Sequence, residues 1–308
     1  VRESIARIRR IGENKETIYV CYVTSGDRKL EGVVTVKKLL LSNDDDVIED
    51  IMDTNVIFAH TTDDQEDVSE KISDYDLLAI PVVDKESRLV GIVTVDDIID
   101  VMQEEVTEDI EKMAAITPSD KPYLKQSVIY IWKNRIPWLL LLMISATFTG
   151  MIISSFESAL ATQVVLVGFI PMLMDTGGNS GSQTSATIIR SISLGDIEFS
   201  DLFSILWKEL RVAVLCGLSL AAVNFVKVMV VDRMLLGNTD ISFTVAAVVC
   251  LTLALTVLAA KLMGCILPML AEKIGFDPAV MASPFITTIV DAISLLVYFA
   301  LATSILHI

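Results

Sequence analysis

Cysteine and histidine are almost missing from this chain. Its four Cys (Cys21, Cys216, Cys250, Cys265) show no CxxC spacing, and His60 and His307 lie far from all of them. That excludes a disulfide framework and a zinc site, and it leaves the cysteines as packing residues. Positive charge is also scarce: 24 Lys and Arg stand against 40 Asp and Glu. The imbalance lies at one end. Residues 1–120 hold 29 acidic and 13 basic side chains, whereas residues 121–308 hold 11 of each, so the whole net charge of −16 belongs to the first part. Such a surface repels nucleic acid and anionic lipid and attracts metal cations. No initiator Met and no apolar leader precede Val1, so the start does not read as a signal peptide, and the chain reads as beginning inside a domain. What is abundant is apolar: 53% of residues are hydrophobic and the mean hydropathy is +0.59, which points to a membrane protein.

The acidic part contains an internal repeat at a spacing of 59. Tyr19–Val23, a polar turn and Gly32–Val36 match Leu78–Val82, a polar turn and Gly91–Val95. Each copy predicts two short strands followed by a helix, over Lys37–Leu41 and Asp96–Met102, with earlier helices over Glu3–Ile11 and Asp64–Ser73. Closed by Gly-x-x-Thr-x-x-Asp in its second copy, the pattern resembles a tandem pair of CBS domains. The resemblance implies a pseudo-symmetric module that often holds adenine nucleotides such as ATP. It implies ribose and phosphate contacts at Thr94 and Asp97, with Ile80 and Pro81 beside them, in copy two. Copy one departs from the pattern, with Lys38 where the acid would stand.

The expected organisation is a truncated CBS copy at 1–50, a second copy at 51–103, an acidic connecting helix and amphipathic linker at 104–135, and a membrane domain at 136–308. In the connecting segment, Val106, Ile110 and Met113 recur at helical spacing among Glu104, Glu105, Glu108, Asp109 and Glu111. Five apolar spans follow, at about Pro137–Phe156, Thr162–Ile189, Leu206–Val231, Phe243–Ala271 and Ala279–His307. Each is near or above the roughly 20 residues a bilayer requires. Basic residues gather at the flanks facing the N-terminal side, which predicts that end cytoplasmic and the C-terminus external, in a multi-pass cell-membrane protein.

Polar groups inside spans are expensive and are functional candidates by default. Asp291 sits about 12 residues into span five, roughly 18 Å deep and near mid-bilayer. Ser283, Thr287 and Ser294 form a polar stripe with it. In span two, Asp175, Asn179 and Gln183 stack at intervals of four among Gly177, Gly178 and Gly181. Small residues for helix packing explain the glycines but not two intramembrane aspartates. Neither span carries a base to neutralise them, and a permeating cation would provide the missing charge. A ligand set of oxygens alone, with Asp175, Asn179, Thr287 and Asp291 as candidates, suits a hard divalent cation.

The CBS pair, the acidic helix, the five spans, Pro171-Met-Leu-Met-Asp-Thr-Gly-Gly-Asn, Phe276-Asp-Pro-Ala and Thr287-Thr-x-x-Asp291 together resemble the MgtE family of magnesium channels. That resemblance implies an α+β CBS pair joined to an all-α five-helix transmembrane domain, and Mg²⁺ transport rather than catalysis. It also implies a homodimer with the pore on its two-fold axis, lined by spans two and five. Asp291 would be the pore carboxylate, Asp277 the acid of the cytoplasmic entrance, and the acidic helix a plug. The family's N-terminal acidic helical domain has no counterpart in these residues. Regulatory Mg²⁺ is expected at Asp67, Asp100, Glu104, Glu105, Glu108, Asp109 and Glu111. Two other readings compete with this one: a membrane-anchored sensor that does not transport, and an exporter or a Co²⁺ or Mn²⁺ carrier on the same scaffold.

Overall fold

A computed structural model describes residues 1–119 and 121–308, except for the side chain of Ser283. The chain divides into two compact units, Val1–Thr107 and Glu108–Ile308.

The 59-residue repeat is physical. In the first unit β1 (Val20–Thr24) pairs antiparallel with β2 (Leu30–Thr35), and β4 (Ala79–Val83) pairs likewise with β5 (Leu89–Thr94). Val20 faces Thr35 as Ala79 faces Thr94, and both hairpins slip register at the same place, between Val23 and Thr24 and between Val82 and Val83. Arg28 and Ser87, themselves 59 apart, both take positive φ in the turns. The turns also bond to each other, Leu30 N to Ser87 O at 3.0 Å and Leu89 N to Arg28 O at 2.8 Å. The copies differ in one strand: the short β3 (Ala59–His60) joins β4 in parallel, while the first sheet has two strands. Ile80 from β4 meets Ile98 and, from α4 (Gln65–Asp74), Val68 and Ile72 under the second sheet. Leu39 of α2 (Val36–Leu41) and Val34 fill the first half with α1 (Arg2–Ile11), beside the single turn α3 (Ile48–Ile51). Tyr22 crosses between halves, its hydroxyl donating to Ala79 O at 2.8 Å, and burial pushes that phenol up to about 12.

The sequence suggests two helices around residue 103, and the structure has one. Helix α5 runs unbroken over Val95–Met113 because no Gly or Pro interrupts its apolar spacing. It stops at Ala115, which takes φ +53, with Ile116 N closing on Glu111 O at 2.8 Å.

Among the described residues, the second unit has five long helices: α6 (Val128–Ser155), α8 (Ile170–Ser193), α9 (Leu202–Lys227), α10 (Phe243–Lys273) and α11 (Ser283–Leu306). Span two does not begin as a helix at Thr162. Short helix α7 (Glu157–Thr162) and a tight 3₁₀ stretch, Val164–Phe169, precede α8. Beyond α9 the chain continues as a π-helix, Val228–Leu235. Among the described residues, four stretches are long and apolar enough to cross a membrane: Val128–Ser155, Phe199–Leu235, Phe243–Lys273 and Pro278–Leu306. Helix α8 is not among them, because polar and glycine residues fill it. Its 24 residues still reach about 36 Å. It packs against α10 and α11, α9 lies on α10, and α6 lies on α11.

The contacts of α8 depend on absent side chains. A Cβ on Gly181 would sit 2.7 Å from Ile286 Cγ2 and 3.2 Å from Ala260 O, and one on Gly264 would strike the Gly181 carbonyl. These glycines bring the backbones of α8 and α10 into direct contact, as small residues do between membrane helices.

Candidate ion pathway

Helix α8 has two unlike faces. Gly177, Gly178, Gly181, Thr184 and Ile188 are buried against α10 and α11, while Asp175, Asn179 and Gln183 line the opposite, exposed face. The four-residue spacing read from the sequence therefore places one acid and two amides on a single open stripe. Asp291, partly buried on α11, lies close enough to Asp175 for the two carboxylates to repel each other. Among the described residues neither carboxylate is in an ion pair. Thr287 packs its methyl group toward Gly178 and donates its hydroxyl to Pro284 O at 3.0 Å. Ser294 is not on the open face. It is 1% exposed and donates to Val290 O at 2.6 Å, because the three-residue step from Asp291 turns it toward the helix contact. Ser283, on the predicted stripe, has its side chain outside the described residues.

At one end of the unit, Asp277 caps a short turn by accepting from Ala279 N at 2.7 Å. Its other oxygen pairs with the Lys112 ammonium, which also pairs with Glu108 one turn earlier. Burial pulls the Lys112 ammonium down, but its bonds to Asp277 and Glu108 outweigh that and hold it well above the ordinary lysine range. Asp109 accepts from Ser193 Oγ at 2.8 Å. Burial pushes its carboxyl up, the Ser193 bond opposes this, and the nearby Asp277 adds to it. Glu111 accepts from Ser119 N at 2.8 Å. Met113 packs on Ile189, Ala279 and Ala282. The end of the acidic helix is thus held by one lysine, one serine and an apolar contact.

In the first unit Glu105 accepts from Gln65 Nε2 at 2.6 Å, and Asp67, Asp100 and Glu104 are exposed. Among the described residues no three His, Cys, Asp or Glu converge into a metal cage. At the expected nucleotide positions, Asp97 is occupied locally: it accepts from the Thr94 hydroxyl at 2.8 Å and from Thr94 N at 3.3 Å, as a helix cap does. Ile80 and Pro81 are buried in β4, so their side chains are core. A cleft of about 610 Å³ lies instead beside copy one, between Tyr19, Thr35, Lys37 and Leu78.

Sequence reading missed Lys112 and Ser193, which hold the acidic helix, and Glu209. The buried Lys261 of α10 has its Nζ 3.2 Å from Thr184 Oγ1 and 4.0 Å from Glu209. The available signal for Glu209 was its position as the one acid within the predicted span Leu206–Val231.

A family of divalent cation transporters, MgtE, matches residues 170–301, starting where α8 starts, and the CBS domain family matches residues 48–104. The chain is 36% identical to the magnesium transporter MgtE of Thermus thermophilus over 100% of its own length and 66% of that protein's. It is 37% identical to the magnesium transporter MgtE of Bacillus subtilis, again over 100% of this chain and 66% of that one. It therefore spans about two-thirds of the length of these relatives, which are named as transporters rather than enzymes. A solved cytosolic domain of the Mg²⁺ channel MgtE in complex with ATP is 41% identical over 32% of this chain and 40% of that chain, with a TM-score of 0.32. The match along the full chain shows that it belongs to the MgtE family.

Proposed function

We propose that this chain is one subunit of a magnesium-conducting pore in the cell membrane, in which two copies bring their α8 and α11 helices together around a two-fold axis. The observation that carries the reading is the open face of α8. Asp175, Asn179 and Gln183 lie exposed in an otherwise apolar helical unit, and polar groups at membrane depth face lipid only at a cost of several kcal/mol. A second copy and a water-filled path remove that cost. Two pairs of Asp175 and Asp291 then gather four carboxylates without a basic partner, and a divalent cation supplies the opposite charge. Oxygen ligands favour a hard ion, and Mg²⁺ keeps several of its waters, so few direct ligands suffice. Two magnesium transporters among the relatives point to the same ion. The first unit faces the cytoplasm and the C-terminus lies outside.

Regulation belongs to the acidic part. Cytoplasmic Mg²⁺ binds carboxylates of the acidic helix and of the CBS pair, and so favours the closed pore. Asp67, Asp100, Glu104, Glu105, Glu108, Asp109 and Glu111 are the donors, with Asp277 at the entrance. A nucleotide reading attaches to copy two, where Thr94 and Asp97 would hold the ribose and phosphate of ATP with Ile80 and Pro81 beside them.

Cysteine substituted at Asn179 tests the dimeric pore. Oxidation is expected to join two chains across the axis and to block Mg²⁺ uptake into proteoliposomes. Monomeric protein at every oxidant concentration, with uptake intact, would overturn the reading.

A further inference from the structure

Behind the open face of α8 lies a buried polar group that the pathway does not use. Lys261 on α10 is 6% exposed and Thr184 on α8 is 3% exposed. The Thr184 hydroxyl accepts from Lys261 Nζ at 3.2 Å and donates to Glu209 Oε2 on α9 at 3.1 Å. The two charges are themselves 4.0 Å apart, so this hydroxyl sits between cation and anion with both its donor and acceptor roles used. Three helices meet at one oxygen. A buried ammonium without a partner is severely destabilising, and Glu209 supplies the counter-charge within a largely apolar surround.

The location matters because Thr184 follows Gln183 directly. Adjacent helical residues are about 100° apart, so turning α8 by one position would swing Gln183 and Asn179 off the open face. The glycine contact with α10 sets how closely the helices approach. It is made of backbone and methyl groups and is weakly directional. Hydrogen bonds to fixed charges are directional. We propose that Lys261 and Glu209, acting through Thr184, are positioning residues that lock the rotation of α8 and thereby fix the cation selectivity of the pathway. This inference rests on the pore reading above.

The test uses the full-length chain in proteoliposomes, with the four native cysteines replaced and single cysteines placed at Gln183 or at the buried neighbour Ser180. A membrane-impermeant thiol reagent reads which face is open. With the network intact, position 183 labels and position 180 does not. Thr184→Val keeps the side chain's shape and removes the hydroxyl. It is expected to shift the labelling contrast between the two positions by roughly three- to fifteenfold, the range of a single interhelical hydrogen bond in a membrane. The Mg²⁺-over-Na⁺ flux ratio is expected to fall by a similar factor. Exchanging the charges as Glu209→Lys with Lys261→Glu, Thr184 retained, is expected to restore both readouts relative to either single change. If Thr184→Val lowers the melting temperature but leaves labelling and flux ratio unchanged, the network is only structural and the proposal fails. If the wild-type chain conducts no Mg²⁺, the pore reading fails separately, and the labelling contrast still decides the positioning.

Discussion

Replacing Lys112 with Met removes the cation that ties the acidic helix to Asp277, while keeping a long apolar stem. The ammonium pairs with Glu108 within its own helix and with Asp277 across to the neighbouring turn, with side-chain exposures of 24%, 38% and 33% respectively. At such exposure water screens each pair. The Glu108 pair, favourably ordered at i,i+4, contributes about 0.3–0.5 kcal/mol, and the tertiary pair contributes up to about 1 kcal/mol. Its loss also leaves Glu108, Asp109 and Asp277 to repel one another, which adds a comparable amount. Docking of residues 108–113 is then expected to weaken by about 2 kcal/mol, or roughly thirtyfold in the docked-to-undocked ratio. Hydrogen exchange of peptides covering residues 106–119 measures this directly. Without Mg²⁺, Lys112→Met is expected to exchange faster than wild type by about that factor. Millimolar Mg²⁺ is expected to close most of the gap, because a divalent ion takes the place of the ammonium between Glu108 and Asp277. Equal exchange at zero Mg²⁺, or a gap that Mg²⁺ leaves untouched, would refute both the tether and the gating scheme.

Three further outcomes follow from the same structure. Asp109 has its carboxyl pushed up in the folded protein, so its contribution is fully present below the unfolded value and is lost as pH rises through the raised one. Lowering the pH from neutral is therefore expected to slow exchange over 108–113, and Asp109→Asn should slow it at pH 7 and flatten the pH dependence. Gly264→Ala forces a methyl group onto the Gly181 carbonyl and is expected to destabilise the helical unit by about 1–3 kcal/mol, visible as a lower melting temperature in detergent. Asp97→Ala removes the acceptor for the Thr94 hydroxyl and amide, costs the first unit about 1 kcal/mol in denaturant unfolding, and weakens ATP binding by calorimetry.

Much of the first unit was readable because its signals are local. Two β-branched runs with Gly in the same place produced two hairpins with the same register and the same bulge. The apolar spans were readable for the same reason, since length and hydropathy suffice. Helix α8 was read as part of the apolar span Thr162–Ile189 although it falls outside the stretches apolar enough to cross a membrane, and its four-residue polar stripe was legible inside that span. Partners brought together by folding were not readable. Lys112 and Asp277 are 165 residues apart and Thr184 and Lys261 are 77 apart, and nothing in their spacing pairs them. Ser294 shows the same limit: helical spacing put it beside Asp291, and only the packing of its neighbours decided that it faces inward. The irregular entry to α8 was hidden because Val164–Phe169 is as apolar as a helix would be.

The central claim is that Asp291 lines a pathway for Mg²⁺, and purified protein in liposomes under an imposed voltage, with no other gradient, tests it most directly. Wild-type protein is expected to admit Mg²⁺ in proportion to the voltage, and Asp291→Ala is expected to abolish that flux while remaining folded and dimeric. Wild-type rates of Mg²⁺ entry through Asp291→Ala, or no voltage-driven entry through the wild type, would contradict the account.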